Sequence, residues 1–373
     1  MKNRTQKLFL VLSAVVLLRQ TAFANAGTPL MWAEVLHLVF GNLAIGLGEG
    51  LLLGFIFRLP KWKSIGIMIL ANYISAWLGY LILESSRPAI QHSITIYEIK
   101  TFIWVAYGIA FVFTLVAESP FIFILMRQKK HTIIRTLIAS FIIQGISYCG
   151  IFYWYWKASF DSLFHNTQIV RSFEFQYPES ILYFFGEDQN VYQMRMDGTE
   201  KQKIYDLNAK QELMKLYLQG SKVGADLCLC GLTDFYTERE ENRVVIKKHV
   251  LPADQLEALH VEEHMMVWTE AIDYRPQTQK QWQIRTGFWA AQGLELWNEE
   301  TEEFYSITLE TPFAQWYVRS ATVLPGDEVI FQLGNQICIY SRSTKQLYLL
   351  TKGTSPVVIF YKPDSAIEAT KEY

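Results

Sequence analysis

Long apolar stretches fill the first 156 residues of this chain, and short alternations of apolar and polar residues fill the rest. Four apolar stretches run at about 31–57, 64–83, 101–126 and 133–156. Each is long enough for a helix that crosses a bilayer, which needs roughly 20 apolar residues. The pattern predicts a four-helix transmembrane domain over residues 27–156.

The four spans divide into two similar halves. Glu49 lies nine residues before Arg58, and Glu118 lies nine residues before Arg127. In the spans that follow, the tetrapeptide 71–74 (Ala-Asn-Tyr-Ile) corresponds to 139–142 (Ala-Ser-Phe-Ile). We interpret the domain as a duplicated helical hairpin with one carboxyl in each copy, both at the same depth.

Carboxyl groups at bilayer depth are rare, and they are usually functional or paired. Glu49, Glu118, Asn72 and Ser140 therefore make up the predicted intramembrane polar site. It could be a proton or cation site, or a polar core that binds a lipid headgroup. Alternatively, two neutral glutamates hydrogen-bond Asn72, Ser140 or Gln144 and hold the hairpins together. Because two adjacent carboxylates repel each other, we expect one to keep its proton.

The ends of the spans predict the orientation of the chain. A basic start, an apolar run from Leu8 to Leu18 and small residues up to Ala26 predict a signal peptide over residues 1–26. The turns at 58–63 and 127–135 are rich in Lys and Arg, which places them in the cytoplasm. We therefore expect a multi-pass protein of the bacterial inner membrane with its C-terminal half in the periplasm.

Charge separates the two halves as clearly as hydropathy does. Residues 1–156 carry 13 Lys and Arg against 5 Asp and Glu, a net charge of +8; residues 157–373 carry 21 against 31, a net charge of −10. The acidic half argues against nucleic acid or an anionic lipid surface as its partner. The lipid bilayer and a protein or glycan of the envelope are the partners we expect.

The C-terminal half predicts a linker over 157–179 and an all-β, propeller-like soluble domain over 180–373. Short strands with tight turns begin near residue 180. The segment Leu294–Ile307 recurs without a gap 43 residues later as Ile337–Leu350. A period of about 40 residues built from short strands is typical of propeller blades.

Two resemblances fit this division. The hairpins, with an acidic residue in one helix and a small-Asn-aromatic motif in the next, resemble a group of uncharacterised bacterial integral membrane proteins over residues 30–156. The motif Tyr-x-Met-x-Met-Asp-Gly at 192–198 and the Leu-Thr-Lys-Gly at 350–353 resemble the blades of TolB-like periplasmic propellers. This second resemblance covers about residues 180–360 and implies a domain that binds rather than catalyses.

Four tryptophans of the β domain are candidates for a binding face: Trp282, Trp289, Trp297 and Trp316. The alternative is that they fill the interior of the blades, as large aromatic side chains usually do.

A single enzyme motif occurs in the chain. His260-Val-Glu-Glu263-His264 has the H-x-x-E-H pattern of a zinc peptidase, in which two histidines bind zinc and a glutamate activates water. Because the surrounding sequence favours strands, a solvated polar strand or turn is the main interpretation, and we expect no metal and no cofactor. The preferred hypothesis is a non-enzymatic inner-membrane protein whose exported β domain binds an envelope partner. The alternatives are a small proton- or cation-coupled transporter using Glu49 and Glu118, and a zinc hydrolase using His260, Glu263 and His264.

Overall fold

The structure is a computed structural model, and most of the chain from residue 39 onwards is described. The described residues are 39–158, 161–162, 166–175, 177–207, 214–221, 224–234, 237–238, 244–252, 282–285, 293–298, 301–308, 318–324 and 327–359. The predicted signal peptide at 1–26 lies outside them.

Four helices make up the first half of the described chain: α1 Asn42–Ile56, α2 Lys61–Ser93, α3 Ile99–Met126 and α4 Thr132–Ala158. All four contain a stretch long and apolar enough to cross a membrane, which confirms the prediction of four membrane helices. Helix α2 continues ten residues past the predicted end of its span at 83. The apolar run ends there because charged residues follow, whereas the helix continues to Ser93 with its C-cap at Ile94.

The helices form a closed ring in which α1 contacts α2, α2 contacts α3, α3 contacts α4 and α4 contacts α1. Each helix buries one stripe of residues spaced three or four apart, as expected for a bundle. On α1 this stripe consists of Asn42, Gly46, Glu49, Gly50, Leu53 and Gly54. The outward positions are apolar and exposed, for example Phe55, Val116 and Ile133, which suits a surface in contact with lipid.

Helices α1 and α2 approach each other unusually closely because α1 presents glycine at the contact. A Cβ atom added at Gly50 would lie 2.4 Å from the Cα of Ile65, and one added at Gly46 would lie 2.6 Å from the Cα of Ile69. Gly48, on another side of the same helix, has nothing within 4 Å of that position. The spacing of Gly46 and Gly50 is that of the small-residue motif by which membrane helices pack backbone against backbone.

The second half of the described chain is made of strands, which we number β1 to β17 in chain order. Their bounds are β1 Asp161–Ser162, β2 Gln168–Val170, β3 Ile181–Phe185, β4 Val191–Arg195, β5 Gln202–Tyr205, β6 Met214–Ser221, β7 Gly224–Asp234, β8 Thr237–Glu238, β9 Val244–Pro252, β10 Trp282–Arg285, β11 Gly293–Asn298, β12 Phe304–Thr308, β13 Val318–Val323, β14 Glu328–Leu333, β15 Gln336–Ser341, β16 Gln346–Lys352 and β17 Thr354–Ile359.

These strands form several small sheets, which confirms a largely β C-terminal region. Sheet I has the order β17-β3-β4-β5; sheet II consists of β6 and β7 with β8 and β9 paired to β7; sheet III has the order β10-β11-β12-β1; and sheet IV has the order β13-β14-β15-β16-β2. Neighbouring strands are antiparallel except where β1 and β2 join β12 and β16 in parallel. The short strands that follow the last membrane helix thus lie at the edges of sheets III and IV.

The sheets also contact one another in a regular way. Strand β17 at one end of sheet I contacts β6 of sheet II and β13 of sheet IV. Strand β13 in turn contacts β10 of sheet III. The four contacting strands β6, β17, β13 and β10 each lie at an edge of their sheet.

The two segments related by the 43-residue recurrence form hairpins with matching registers. Trp297 pairs with Phe304 and Leu296 with Tyr305 in sheet III. At the corresponding positions of sheet IV, Tyr340 pairs with Leu347 and Ile339 with Tyr348. The register then shifts at a bulge after Ile337, so the correspondence ends there.

Sheet IV separates two hydrophobic cores, and the alternation of side chains along its strands explains why. Ile337 and Ile339 of β15 lie in the core shared with sheets I and II. Cys338 and Tyr340, which point the other way, lie in a second core with Leu294 and Leu296 of sheet III. Every residue of β14 and β15 is therefore buried.

Residues from the membrane domain complete the second core. The connection between α2 and α3, together with the first turn of α3, forms what we call the docking segment, residues 94–103. Ile96 and Ile99 are fully buried there, and Ile103 is nearly so, against the apolar side chains of sheets III and IV. The helices and the β domain are therefore in direct contact, with the apolar core continuous across their boundary.

Polar contacts fix the docking segment in the same place. The amide of Ile96 donates a hydrogen bond of 2.9 Å to Oε1 of the buried Gln336. Lys100 Nζ donates to the carbonyl of Thr167 at 3.1 Å, next to strand β2. The guanidinium of Arg171 lies 5.0 Å above the ring of Tyr97, close enough for a cation–π interaction.

Candidate intramembrane carboxyl site

The first glutamate, Glu49, is held by the facing helix of its own hairpin. It lies on the buried stripe of α1 and is 1% exposed. Nδ2 of Asn72, on the buried stripe of α2, donates a hydrogen bond of 2.6 Å to Glu49 Oε2. Asn72 also donates to the carbonyl of Met68 at 3.0 Å, which fixes its amide toward α1.

The second glutamate, Glu118, is held from two sides. It lies on α3 and is fully buried. Ser75 of α2 donates from Oγ to Glu118 Oε1 at 2.6 Å, and Gln144 of α4 donates from Nε2 to Glu118 Oε2 at 2.6 Å. Both carboxyl oxygens thus have a donor, and the donors come from both hairpins.

The two carboxyls belong to one polar cluster at the centre of the bundle. They are close enough for their charges to interact, and Gln144 and Ser147 of α4 face Glu49. Nevertheless, Glu49 Oε1 accepts no hydrogen bond of acceptable geometry from any described residue. All four helices contribute to the cluster, and among the described residues one buried oxygen in it accepts no hydrogen bond of acceptable geometry.

The cluster lies well inside the apolar stretches of the membrane helices. At 1.5 Å per residue, Glu49 is about 11 Å, and Glu118 about 12 Å, from the end of its helix at the basic turns. The predicted equality of depth therefore agrees with the helix bounds to within one residue.

Ser140 differs from the other predicted members of the site. It corresponds to Asn72 in the second hairpin, but its hydroxyl is bonded to Ser119 at 3.1 Å rather than to Glu118. Ser119 in turn donates to the carbonyl of Leu115 at 2.5 Å. The serine side chain is shorter than that of asparagine and does not extend to the carboxyl of Glu118. Gln144, one turn further along α4, supplies the amide donor instead.

Ser75 is the member that sequence comparison of the two halves did not single out. It has no polar counterpart in the second hairpin, since Ile143 occupies the equivalent position. Its position three residues after Asn72 places it on the same face of α2, and this is the signal that could have identified it.

The chemistry of the cluster is that of a carboxyl pair without a cation. No Lys or Arg side chain contacts either glutamate in the described part of the chain, and the surroundings are hydroxyls, amides and apolar groups. Two ionised carboxylates would be strongly unfavourable in such surroundings, so a proton or a small cation must compensate the charge. No group of three His, Cys, Asp or Glu residues suited to a metal ion is found among the described residues.

A second polar contact continues from the cluster toward the β domain. The hydroxyls of Tyr148 on α4 and Thr114 on α3 are 2.8 Å apart. Tyr107, two turns further along α3, donates to the carbonyl of Tyr148 at 2.6 Å. Glu118, Thr114 and Tyr107 therefore all lie on helix α3, whose first turn belongs to the docking segment.

The four tryptophans considered as a binding face are only partly described. Trp297 on β11 is half-buried, and its ring centroid lies 6.4 Å from that of Phe304, which is 45% exposed on β12. Trp282 is on β10, opposite Asn298, whereas Trp297 is opposite Gln283. Neighbouring pairs of an antiparallel sheet alternate between its faces, so positions 282 and 297 lie on opposite faces.

Several predicted residues lie outside the described residues: Trp289, Trp316, His260, Glu263 and His264. The zinc-peptidase pattern therefore stays a prediction from sequence.

Comparison with known proteins adds no family to this description. The chain matches no protein-family model and no curated protein. Its own features define the class: four apolar helices of membrane-spanning length in contact with lipid, joined to a largely β region. This is a multi-pass membrane protein.

Proposed function

We propose that this is a non-enzymatic protein of the bacterial inner membrane that presents its β domain to a partner in the periplasm. The observation that carries this proposal is the docking segment. Ile96 and Ile99 are fully buried among the strands, so the membrane helices hold the β domain at a fixed position above the bilayer. A domain that is held in this way is suited to binding a partner at a defined distance from the membrane.

The arrangement of the sheets supports a propeller-like domain. Successive sheets built mainly of antiparallel strands, contacts between the edge strands of neighbouring sheets, and the late strand β17 that pairs with sheet I are all expected of blades around an axis. The return of β17 to β3 would close such a ring by pairing the end of the domain with its start. Propellers of this kind mostly bind other molecules.

The aromatic pair of sheet III, the half-buried Trp297 and the exposed Phe304, is the surface we assign to the partner. Aromatic side chains are enriched in the centres of protein interfaces, where they supply large contact areas. Phe304 is 45% exposed and lies beside Trp297, whereas Leu294 and Leu296 of the same sheet are buried in the second core. A protein or a glycan of the envelope would suit this surface, because both bind aromatic side chains.

Site-specific photo-crosslinking of the full chain in its own membrane tests this function. A benzophenone amino acid replaces Phe304, and in a control it replaces the lipid-facing Phe55, which is 78% exposed. We expect one discrete adduct from position 304 and none of that size from position 55. Digestion by protease or glycosidase then distinguishes the two kinds of partner. Absence of a discrete adduct from position 304 would contradict the proposal.

A second candidate function is favoured by the carboxyl pair. A buried glutamate oxygen without a donor, beside a second glutamate, is an arrangement that could take up a proton or a small monovalent cation. Because α2 and α3 both contact the pair and both end at the docking segment, occupancy of the site could be transmitted to the β domain. In this case the protein would be a small proton- or cation-coupled membrane unit.

Flux into proteoliposomes tests this second candidate. Vesicles that contain a pH-sensitive dye are given a sodium, potassium or proton gradient, with the wild-type chain or with Glu49→Gln or Glu118→Gln. Coupling predicts flux for the wild type and its loss in both variants while their thermal midpoints stay close to that of the wild type. No flux in the wild type, or full flux in the variants, would leave the carboxyl pair with a structural role.

A further inference from the structure

A cavity lies at the end of the bundle marked by the basic turns, away from the carboxyl pair. Its volume is about 260 Å³. Four apolar side chains and two arginines line it, and they come from the ends of three helices: Ile56, Phe57, Arg58, Met126, Arg135 and Ile138. The cavity is therefore apolar on its walls and strongly cationic at two points.

The two arginines have no acidic partner in the described part of the chain. No carboxylate there lies within ion-pair distance of Arg58 or Arg135. The turns that bear these arginines, 58–63 and 127–135, contain no Asp or Glu. The cavity thus has two positive charges that no carboxylate of the described residues compensates.

The backbone conformation at Arg58 is a second indication that this arginine has a role in the cavity. Arg58 has a φ of 53°, the left-handed conformation that follows many helices and that glycine adopts most easily. The amide of Leu59 donates to the carbonyl of Gly54 at 3.1 Å around it, which closes the end of α1. Glycine would adopt this conformation with less strain, so the arginine stands here against the local backbone preference.

We propose that this cavity binds the phosphate group of an anionic phospholipid. Guanidinium groups bind phosphate oxygens in bidentate fashion, and two of them at one cavity can hold a singly charged phosphodiester. The apolar walls formed by Ile56, Phe57 and Ile138 suit the glycerol and upper acyl chain of the lipid. Since the site holds two cations and lacks a carboxylate, it offers nothing to the positive group of a zwitterionic lipid.

The depth of the cavity agrees with this ligand. It lies at the ends of α1 and α3 and the start of α4, where the apolar spans stop and the headgroup layer begins. Soluble inorganic phosphate presents the same oxygen chemistry but would leave the apolar walls without contacts. The lipid is therefore the ligand that uses the whole cavity.

Lipid binding to the full-length protein in a neutral detergent tests the proposal. Short-chain phosphatidylglycerol, phosphatidylcholine and inorganic phosphate are titrated separately, with native mass spectrometry as the readout. We expect phosphatidylglycerol to bind at least about tenfold more tightly than phosphatidylcholine. The double variant Arg58→Gln/Arg135→Gln should lose this preference. The matched control Lys63→Gln/Lys130→Gln removes the same charge from the same two turns, does not touch the cavity, and should keep the preference.

Each alternative result overturns the assignment. Equal losses in the two double variants would mean that only the general charge of the turns attracts the lipid. Competition by inorganic phosphate at the concentration at which phosphatidylglycerol binds would make the ligand a soluble anion. If neither lipid is preferred by the wild type, the cavity is not a headgroup site. A thermal midpoint measured for each variant distinguishes loss of the site from loss of the fold.

Discussion

The close contact between α1 and α2 gives a sharp test of the bundle and of the carboxyl site together. In Gly50→Ala the new Cβ would lie 2.4 Å from the Cα of Ile65, 2.7 Å from its nitrogen and 2.9 Å from the carbonyl oxygen of Ser64. All three are backbone atoms, which cannot move away by a change of rotamer as a side chain can. Since ordinary contact begins near 3.4 Å, the helices must separate by about 1 Å, an overpacking that typically costs 1–3 kcal/mol.

The same displacement acts on the polar cluster, because Glu49 is the residue directly before Gly50. The hydrogen bond from Asn72 to Glu49 is 2.6 Å long, and a separation of about 1 Å lengthens it beyond bonding distance. A buried acceptor that loses its donor costs a further 1–3 kcal/mol or so, although hydrogen bonds between membrane helices average only about 0.6 kcal/mol. We therefore expect Gly50→Ala to lower the free energy of unfolding by about 2 kcal/mol or more.

Unfolding in mixed micelles with increasing dodecyl sulfate, followed by circular dichroism, measures this difference. The control is Gly48→Ala on the same helix, where the added Cβ meets nothing within 4 Å. That variant should be neutral or slightly stabilised, because alanine favours the helix over glycine by about 1 kcal/mol. Equal effects of the two substitutions would refute the backbone-to-backbone packing of α1 on α2.

Three further predictions concern titratable groups. Glu49→Gln and Glu118→Gln should be non-additive in stability by more than about 0.5 kcal/mol, because both contact one network; strict additivity in a double-mutant cycle would separate the two carboxyls. The amide and hydroxyl of Thr95 hydrogen-bond to Glu98 and lower the pKa of its carboxyl. This stabilisation is complete above the unfolded pKa of about 4.5 and is lost as the pH falls through the lowered pKa of the folded state, so the protection of amides 94–98, measured as exchange relative to the intrinsic rate at each pH, should fall in acid, and Glu98→Gln should remove that dependence. Burial raises the pKa of the Cys338 thiol, so maleimide at pH 8 should label it only when the domain unfolds; rapid labelling of the folded protein would show that this core is open.

The membrane half could be predicted from the sequence because lipid imposes simple constraints. Helices in a bilayer must be apolar over a fixed length, and so the four spans and the matched depths of Glu49 and Glu118 could be predicted from spacing alone. Which donor side chain bonds to which carboxyl could not be predicted in this way. The repeat suggests that Ser140 plays the role of Asn72, but the reach of a side chain differs between serine and asparagine, and Gln144 supplies the donor to Glu118 instead.

The docking segment was the main feature that the hydropathy pattern did not reveal. The connection at 84–100 is polar and charged overall, which predicts a loop in water. Within it, however, Ile94, Ile96 and Ile99 are apolar residues that a water-exposed loop has no reason to carry, and Thr95 with Glu98 has the spacing of a helix capping box. Their burial depends on strands almost 200 residues or more away in the chain, a contact that local pattern cannot predict.

The arrangement of the strands in the sheets could likewise not be predicted from the local sequence pattern. The 43-residue recurrence predicts two equivalent hairpins, and the matching pairs Trp297–Phe304 and Tyr340–Leu347 have that relation. It does not predict that β17 returns to pair with β3, or that the strands after the last helix join the edges of two sheets. Those contacts depend on how the chain ends come together in three dimensions.

The packing of the docking segment against the β domain is tested most directly by hydrogen exchange in the full-length protein in lipid nanodiscs. If residues 94–103 are part of the core of sheets III and IV, their amides should exchange as slowly as those of β15. Gln336→Ala should then release the Ile96 amide, which donates to the Gln336 side chain at 2.9 Å, without releasing β15 itself. Exchange of 94–98 within seconds in the wild type, as in a loop exposed to water, would contradict the fixed base on which the proposed function depends.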